Sequence, residues 1–539
     1  MPAVSAAPGL PMVALGRTAL SPGKLLRWAL HLLLAFCFSN GGATSAPNLI
    51  FAEPAQEIDA LQSCFASPWA AGITGRGQLI GVGDSGVDLE SCYFAHVAPN
   101  GTFLTPGPWH RKVEAYNPTY GDSVDGNGHG THTAGTLAGS AVPIGEDAIS
   151  GASLWDGIAR DARLVISDLG VGNSGQLHLP QDLAAYYGWA YDKGARVHSD
   201  SWGGDGDVYD SLSQETDRFC WEHDDFLCVF AAGNYGSIMN PANAKNCVAV
   251  GAIDAGYNII APFSAAGPTS DGRVKPDILA PGETRSAAPA PGGGPGCFTQ
   301  VSEGTSMAAP IVAGAAALVR QYLIEGYYPS GFPLDGDSIP APSAALIKAM
   351  LLNGAEPLLG SEAAQQGFGR VHLGPQALSI RNNVTDSTRM FIVDRRALAH
   401  GQTHRYCAHV TTLGVAVASA DASEQLRVTL VWTDPPALLS ASGPLLVNDL
   451  DLELLPLAAD GTMRTSERLP ESPNRLDNAE RVLYPLQRHH AAFMIQVKGH
   501  RVPRPRTALG GQPYALVATG PGLTAMDWTD AVSCSQYVL

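Results

Sequence analysis

Between residues 76 and 255, four short apolar runs occur at Leu79 to Val82, Leu164 to Ile166, Leu227 to Ala232 and Val248 to Ile253. Stretches of helical length and mixed polarity lie between them, at Leu183 to Lys193 and Ser211 to Asp225. Uninterrupted runs this short fit strands buried on both faces, and the strand, helix, strand order predicts an α/β fold: a parallel sheet flanked by helices. Sites on such sheets collect at the carboxyl ends of the strands. Further on, Ser306 to Leu323 is long and rich in small residues, as a helix packed among neighbours would be. Ser343 to Asn353 reads as another helix, stopped at Asn353-Gly354. The Ala, Pro and Gly residues from Ser286 to Gly296 read as a surface loop. Beyond Arg381 the period changes to two, at Leu426 to Trp432, Asp449 to Leu454, Phe493 to Val497 and Tyr514 to Val517. That pattern predicts a C-terminal antiparallel β-sandwich, jelly-roll-like in outline.

A chain of 539 residues holds at least two such units. The expected division is a signal-like segment at 1–46, a first domain at 64–380, the sandwich at 386–521 and a tail at 522–539. Hydrophobic residues make up 45%, which excludes a disordered chain and equally a multi-span membrane protein. With 33 basic and 50 acidic residues the net charge is -17, so neither nucleic acid nor a stable membrane partner is expected. Near the start, Arg17, Lys24 and Arg27 precede the apolar run Ala29 to Phe38, which gives way to small and polar residues. This resembles a secretory signal and implies a secreted or lumenal protein. The alternative is a single N-terminal membrane anchor, although the run falls short of the roughly 20 apolar residues a span needs. Apart from Cys37 in that segment, eight cysteines remain, without zinc-type spacing, which points to disulfides in an oxidising compartment. Sequons at Asn100 and Asn383 would suit the same compartment.

Three segments carry chemistry. Asp84 closes the first apolar run and opens Asp84-Ser-Gly-Val-Asp88, which by itself is an ordinary strand-end turn. Asn127-Gly-His-Gly-Thr-His-Thr-Ala-Gly135 places two histidines three residues apart. A zinc pair would need a third ligand that the segment lacks, so His129 reads better as a general base at a helix start and His132 as structural. Gly304-Thr-Ser-Met-Ala-Ala-Pro310 sets Ser306 at the start of the long helix, where free amides and the dipole favour developing negative charge. Alone, Ser306 would be a plain N-cap.

Taken together, the three resemble the Asp, His, Ser order of the subtilisin-like serine proteases, over about Gly75 to Gly374. The resemblance implies a secreted endopeptidase acting on protein or peptide substrates through an acyl-enzyme. In it Ser306 is the nucleophile, His129 the base and Asp84 its orienting carboxylate. Ala231-Ala-Gly-Asn-Tyr235 resembles the oxyanion segment, making Asn234 the candidate donor. Ser199-Asp-Ser-Trp-Gly203 resembles the substrate-lining strand, which implies binding by Ser201, Trp202 and Gly203 around an apolar pocket that Gly233 also borders. Trp432-Thr-Asp-Pro435 and Asn448-Asp-Leu-Asp-Leu-Glu453 resemble the KP-43-type group, which carries a C-terminal sandwich. Such modules often bind calcium, so Asn448, Asp449 and Asp451 are the candidate ligands, with Asp477 to Glu480 as a further candidate. No organic cofactor is expected. Residues 47–74 are too few for the folded pro-segment many relatives carry, which implies a chain that folds unaided or a misassigned start. The reading from another class is a catalytically silent secreted binding protein on the same scaffold.

Overall fold

The computed structural model describes residues 68–142, 155–380, 388–410, 425–529 and 534, except 174, 205, 255–257, 440, 442, 458–473, 487–491 and 507. The signal-like segment, Cys64 and the Asn383 sequon lie outside the described residues.

In chain order the first part contains β1 (Leu79–Asp84), β2 (Val113–Asn117), α1 (His129–Ala138), β3 (Arg163–Asp168), α2 (Leu183–Asp192), β4 (Val197–Asp200) and α3 (Ser211–Glu222). It continues with β5 (Leu227–Ala231), β6 (Val248–Asp254), β7 (Ile259–Ile260), β8 (Ile278–Pro281), β9 (Glu283–Ala287), β10 (Thr299–Glu303), α4 (Thr305–Ile324) and α5 (Ala344–Gly354). The main sheet runs β2-β3-β1-β4-β5-β6-β7, with β8 also on β6. All its pairings are parallel except that of β6 with β7. Strand β5 explains the unbroken apolar runs: Leu227 and Val229 pack with α4 and α5, whereas Cys228 and Phe230 face the aromatic cluster of α2 and α3. Helix α4 is the one described helix long and apolar enough to cross a membrane, and 89% of its apolar window is buried inside the fold, so it is a core helix.

The second part is the expected sandwich. Its strands are β11 (Thr388–Leu398), β12 (Thr403–Val410), β13 (Gln425–Val431), β14 (Asp449–Pro456), β15 (Ala479–Pro485), β16 (Ala492–Arg501), β17 (Gln512–Pro521) and β18 (Leu523–Thr529). They form two antiparallel sheets, β11-β17-β13-β15 and β14-β16-β12-β18. Along β13, Leu426, Val428 and Leu430 enter the core between the sheets. The alternate residues do not meet solvent. Thr429 donates to the Asn353 side chain at 2.9 Å, and Arg427 donates to the Asn353 carbonyl at the end of α5. Arg481 reaches the carbonyls of Leu352 and Phe368. One sheet face therefore caps the end of α5.

Three expectations need correction. The segment 522–539 is no simple tail: Leu523–Thr529 pairs with β12, and Cys534 bonds Cys407. The turn at Pro521 and Gly522 hides this strand in the sequence. Ser286 and Ala287 belong to β9 rather than to loop, because that strand pairs with β10. The eight cysteines do not all pair either. Cys92 bonds Cys297, but Cys220, Cys228 and Cys247 are buried free thiols.

Candidate active site

The order of the main sheet reverses around β1, so loops leaving β1 and its neighbours diverge there and open a crevice at the carboxyl edge. Asp84 is the last residue of β1. Gly83 pairs with Asp200 of β4, so Asp84 and Ser201 leave adjoining strands side by side. A Cβ at Gly83 would stand 1.5 Å from the Tyr186 hydroxyl, which is why that position has none.

Asp84 is 2% exposed. Its Oδ1 accepts from the Ser85 amide and from His129 Nδ1, both at 2.7 Å, and its Oδ2 accepts from Thr133 Oγ1 at 3.0 Å. With Nδ1–H engaged by the carboxylate, the neutral ring carries its lone pair on Nε2. Burial pulls the imidazole pKa down, but the charge and hydrogen bond of Asp84 more than offset it, and His129 stands above the ordinary histidine value. His132 differs. It is fully buried, its Nε2 meets the Thr284 carbonyl at 3.2 Å, and burial pushes it down to about 4, so it stays neutral.

Ser306 is the second residue of α4. The sixth, Pro310, has no amide hydrogen to give the Ser306 carbonyl, so the normal helix bond is missing there. Ser201 supplies the replacement, its Oγ donating to Ser306 O at 2.9 Å. The reverse contact also forms, Ser306 Oγ donating to Ser201 O at 3.3 Å. The nucleophile candidate thus rests on Ser201 rather than on His129. Asn234 follows β5 and is held at the same helix start: its Oδ1 accepts from Thr305 N at 2.8 Å and Thr305 Oγ1 at 2.9 Å. Because the Thr305 amide can only donate, the side-chain amide is oriented with its oxygen toward the helix start.

The three substrate-lining candidates differ in their surroundings. Ser201 braces Ser306, but Trp202 is 5% exposed, donates to Asp200 at 2.9 Å and packs edge-on against Phe230. It is a core residue. Gly203 and Gly233 do flank a common space, yet Met239 occupies it: Cβ atoms at these glycines would stand 3.0 Å from Met239 Cε and 2.7 Å from its Cγ. The space beside these glycines is therefore narrowed by a side chain that sequence reasoning passes over.

The calcium candidates do not fit a cation as they are arranged. Asn448 is fully buried, its amide donating to Arg504 O and Gln512 Oε1 and its oxygen accepting from Arg504 N. Asp449 and Asp451 both pair with the Arg475 guanidinium, whose positive charge competes with a cation for these carboxylates. Asp477 accepts from the Val274 amide, and burial pushes Glu480 up to about 8. Among the described residues no group of three or more His, Cys, Asp or Glu side chains is placed to hold a metal ion.

The sequence matches the Peptidase S8 model, described as the Subtilase family, over residues 75–370. It is 28% identical over 602 residues to the serine protease/ABC transporter B family protein tagB of Dictyostelium discoideum, covering 86% of this chain and 31% of that protein. Against tagA of the same organism it is 30% identical over 71% of this chain and 27% of that protein. Subtilisin Savinase of Lederbergia lenta is 33% identical over 46% of this chain and 78% of its own length. The chain spans under a third of the length of the two Dictyostelium relatives.

Proposed function

Since the chain belongs to the subtilase family of serine peptidases, we propose that it is a secreted endopeptidase cutting protein or peptide backbones through an acyl-enzyme. The observation that carries this reading is the 2.7 Å contact of buried Asp84 with His129 Nδ1, at a crevice where Ser306 opens a helix on the adjoining strand's Ser201. In the reaction His129 Nε2 takes the Ser306 proton as Oγ attacks the carbonyl carbon, and Asp84 stabilises the imidazolium that results. For this, Ser306 Oγ gives up its contact with Ser201 O and turns to the imidazole. Negative charge then develops on the carbonyl oxygen. The Asn234 Nδ2 and the Ser306 amide at the positive end of α4 supply the donors. His129 afterwards returns its proton to the leaving amine, and water repeats the sequence to release the acyl group. Secretion accords with the two disulfides and with the signal-like start.

The test is digestion of an unfolded protein substrate by purified chain, with the products sequenced. Internal cuts that disappear in Ser306→Ala support the proposal. Cuts that survive the substitution, or none with wild-type protein, would refute it.

A further inference from the structure

Helix α1, which begins with His129, is capped from outside itself. Its N-cap is Gly128, at φ 81, and Gly128 has no side chain to cap with. Every helix start leaves amides without intrahelical partners, and here each of the first four meets a side-chain oxygen. Asp125 Oδ1 accepts from Gly128 N at 2.9 Å, and Asp125 Oδ2 from Thr131 N at 2.7 Å. Asn127 Oδ1 accepts from His129 N at 2.8 Å, and Ser85 Oγ from Gly130 N at 2.9 Å. Ser85 belongs to the segment leaving β1, and its hydroxyl lies 2.9 Å from Asp125 Oδ1. The same carboxylate thus holds two amides of the helix and the residue next to Asp84.

The two pieces are pressed together. A Cβ at Gly130 would stand 2.1 Å from the Gly86 carbonyl oxygen, so only glycine lets the helix start come this close. Thr131 Oγ1 accepts from Asp88 N, and Thr133 Oγ1 donates to Asp84. Asp125 is itself 7% exposed. A second buried carboxylate beside Asp84 costs stability unless its donors offset the cost, and burial together with the Asp84 charge raises its pKa.

We propose that Asp125 is the positioning residue of this site: its carboxylate clamps the first turn of α1 to the strand end bearing Asp84 and so fixes how His129 meets that carboxylate. This rests on the serine peptidase reading above. Asp125 touches neither substrate nor Ser306 in this role and acts through His129. Its charge reaches the ring too. The titratable groups acting on His129 are Asp84, Asp125 and His132, of which both aspartates favour the imidazolium and His132 is neutral.

The experiment compares wild type, Asp125→Asn and Ser85→Ala. The readouts are the rate of Ser306 labelling by a fluorophosphonate from pH 5 to 10, KM for a peptide, and the melting temperature. Asparagine keeps the shape but removes the charge, and it turns an amide toward one of the donors now bound. Its maximal labelling rate is expected to fall about tenfold or more through misplacement of the base. Its acid limb should move roughly half a pH unit downward, because losing a nearby negative charge makes His129 easier to deprotonate. KM should stay within about twofold, since nothing that binds substrate has changed. Ser85→Ala removes one cap and keeps the charge, so it should lower the melting temperature without moving the limb. A limb unmoved in Asp125→Asn, with the rate falling only as stability falls, would overturn the assignment and leave Asp125 a plain cap. If the asparagine variant does not fold, Asp125→Glu carries the test. It retains charge with the carboxylate displaced, so the limb should stay while the rate drops, and a wild-type rate would overturn the proposal. Failure of wild-type protein to label at Ser306 would instead sink the peptidase reading itself, a result distinguishable from either.

Discussion

Replacing Ser201 by alanine removes the one hydroxyl that satisfies the Ser306 carbonyl, a group left without its helix partner because Pro310 has no N–H. Ser201 is 8% exposed, so water gains little access to the vacated position. Leaving a buried acceptor unmet costs about 1–3 kcal/mol. The same reasoning predicts the rescue. In the double variant Ser201→Ala with Pro310→Ala, the amide hydrogen restored one helical turn beyond Ser306 makes the ordinary bond, so most of that loss should return. In the wild-type background Pro310→Ala gains less from the same bond, because one donor already satisfies the carbonyl. Urea unfolding of the four proteins, followed by tryptophan fluorescence, closes a double-mutant cycle with an expected coupling of about 1–2 kcal/mol. A coupling below about 0.5 kcal/mol, the level at which independent sites add, would refute the link between the proline and the serine.

Four other outcomes follow from the described geometry. His129 stands above the ordinary histidine value and must be neutral to accept a proton, so activity should be lost as pH falls through that raised pKa; Asp84→Asn should move the limb down, and kcat/KM profiles check both. His132 and His110 are pushed by burial to about 4, so between about 6.5 and 4 the unfolded chain binds more protons than the folded one. Stability should therefore fall on acidification across that window, by about 3 kcal/mol for fully buried His132, and His132→Phe should flatten the curve in urea titrations. Met239→Ala empties the space between Gly203 and Gly233, so kcat/KM for peptides with an aromatic residue before the cut should rise relative to those with alanine; no change in that ratio would place the specificity pocket elsewhere. Arg475→Gln leaves Asp449 and Asp451 unpaired, so millimolar calcium should raise the melting temperature of this variant and not of wild type, a wild-type rise being the contrary result.

The sheet is legible in the sequence wherever a strand is buried on both faces by apolar side chains, as at Leu227–Ala231. Val197–Asp200 escapes because three of its four residues are polar, and the polarity of two is absorbed internally: His198 meets Asp200 at 2.9 Å, and Tyr186 donates to Asp200. Edge strand Val113–Asn117 escapes because it is mostly half-buried and shows no clean period. At the site, sequence motifs single out Asp84, His129, Ser306 and Asn234, since reactive groups sit at recognisable strand ends and helix starts. What supports them is less visible. Pro310 reads as a proline tolerated near a helix end until its missing hydrogen bond is traced to Ser201. Asp125 carries no motif of its own in the sequence, although an aspartate shortly before a helix start is a usable capping signal, and its role shows only in its oxygens on Gly128 and Thr131. Trp202 misleads because a tryptophan beside small residues suits a pocket wall as well as a core, and its burial, its bond to Asp200 and its contact with Phe230 decide between them.

Whether Ser306 is an activated nucleophile is tested most directly by mapping a fluorophosphonate adduct on the intact protein and then on its proteolytic fragments. One adduct per chain is expected, located on Ser306, forming far more slowly in His129→Ala and absent in Ser306→Ala. An adduct elsewhere, or labelling of Ser306 at an equal rate without the His129 imidazole, would contradict the proton transfer on which the proposed chemistry depends.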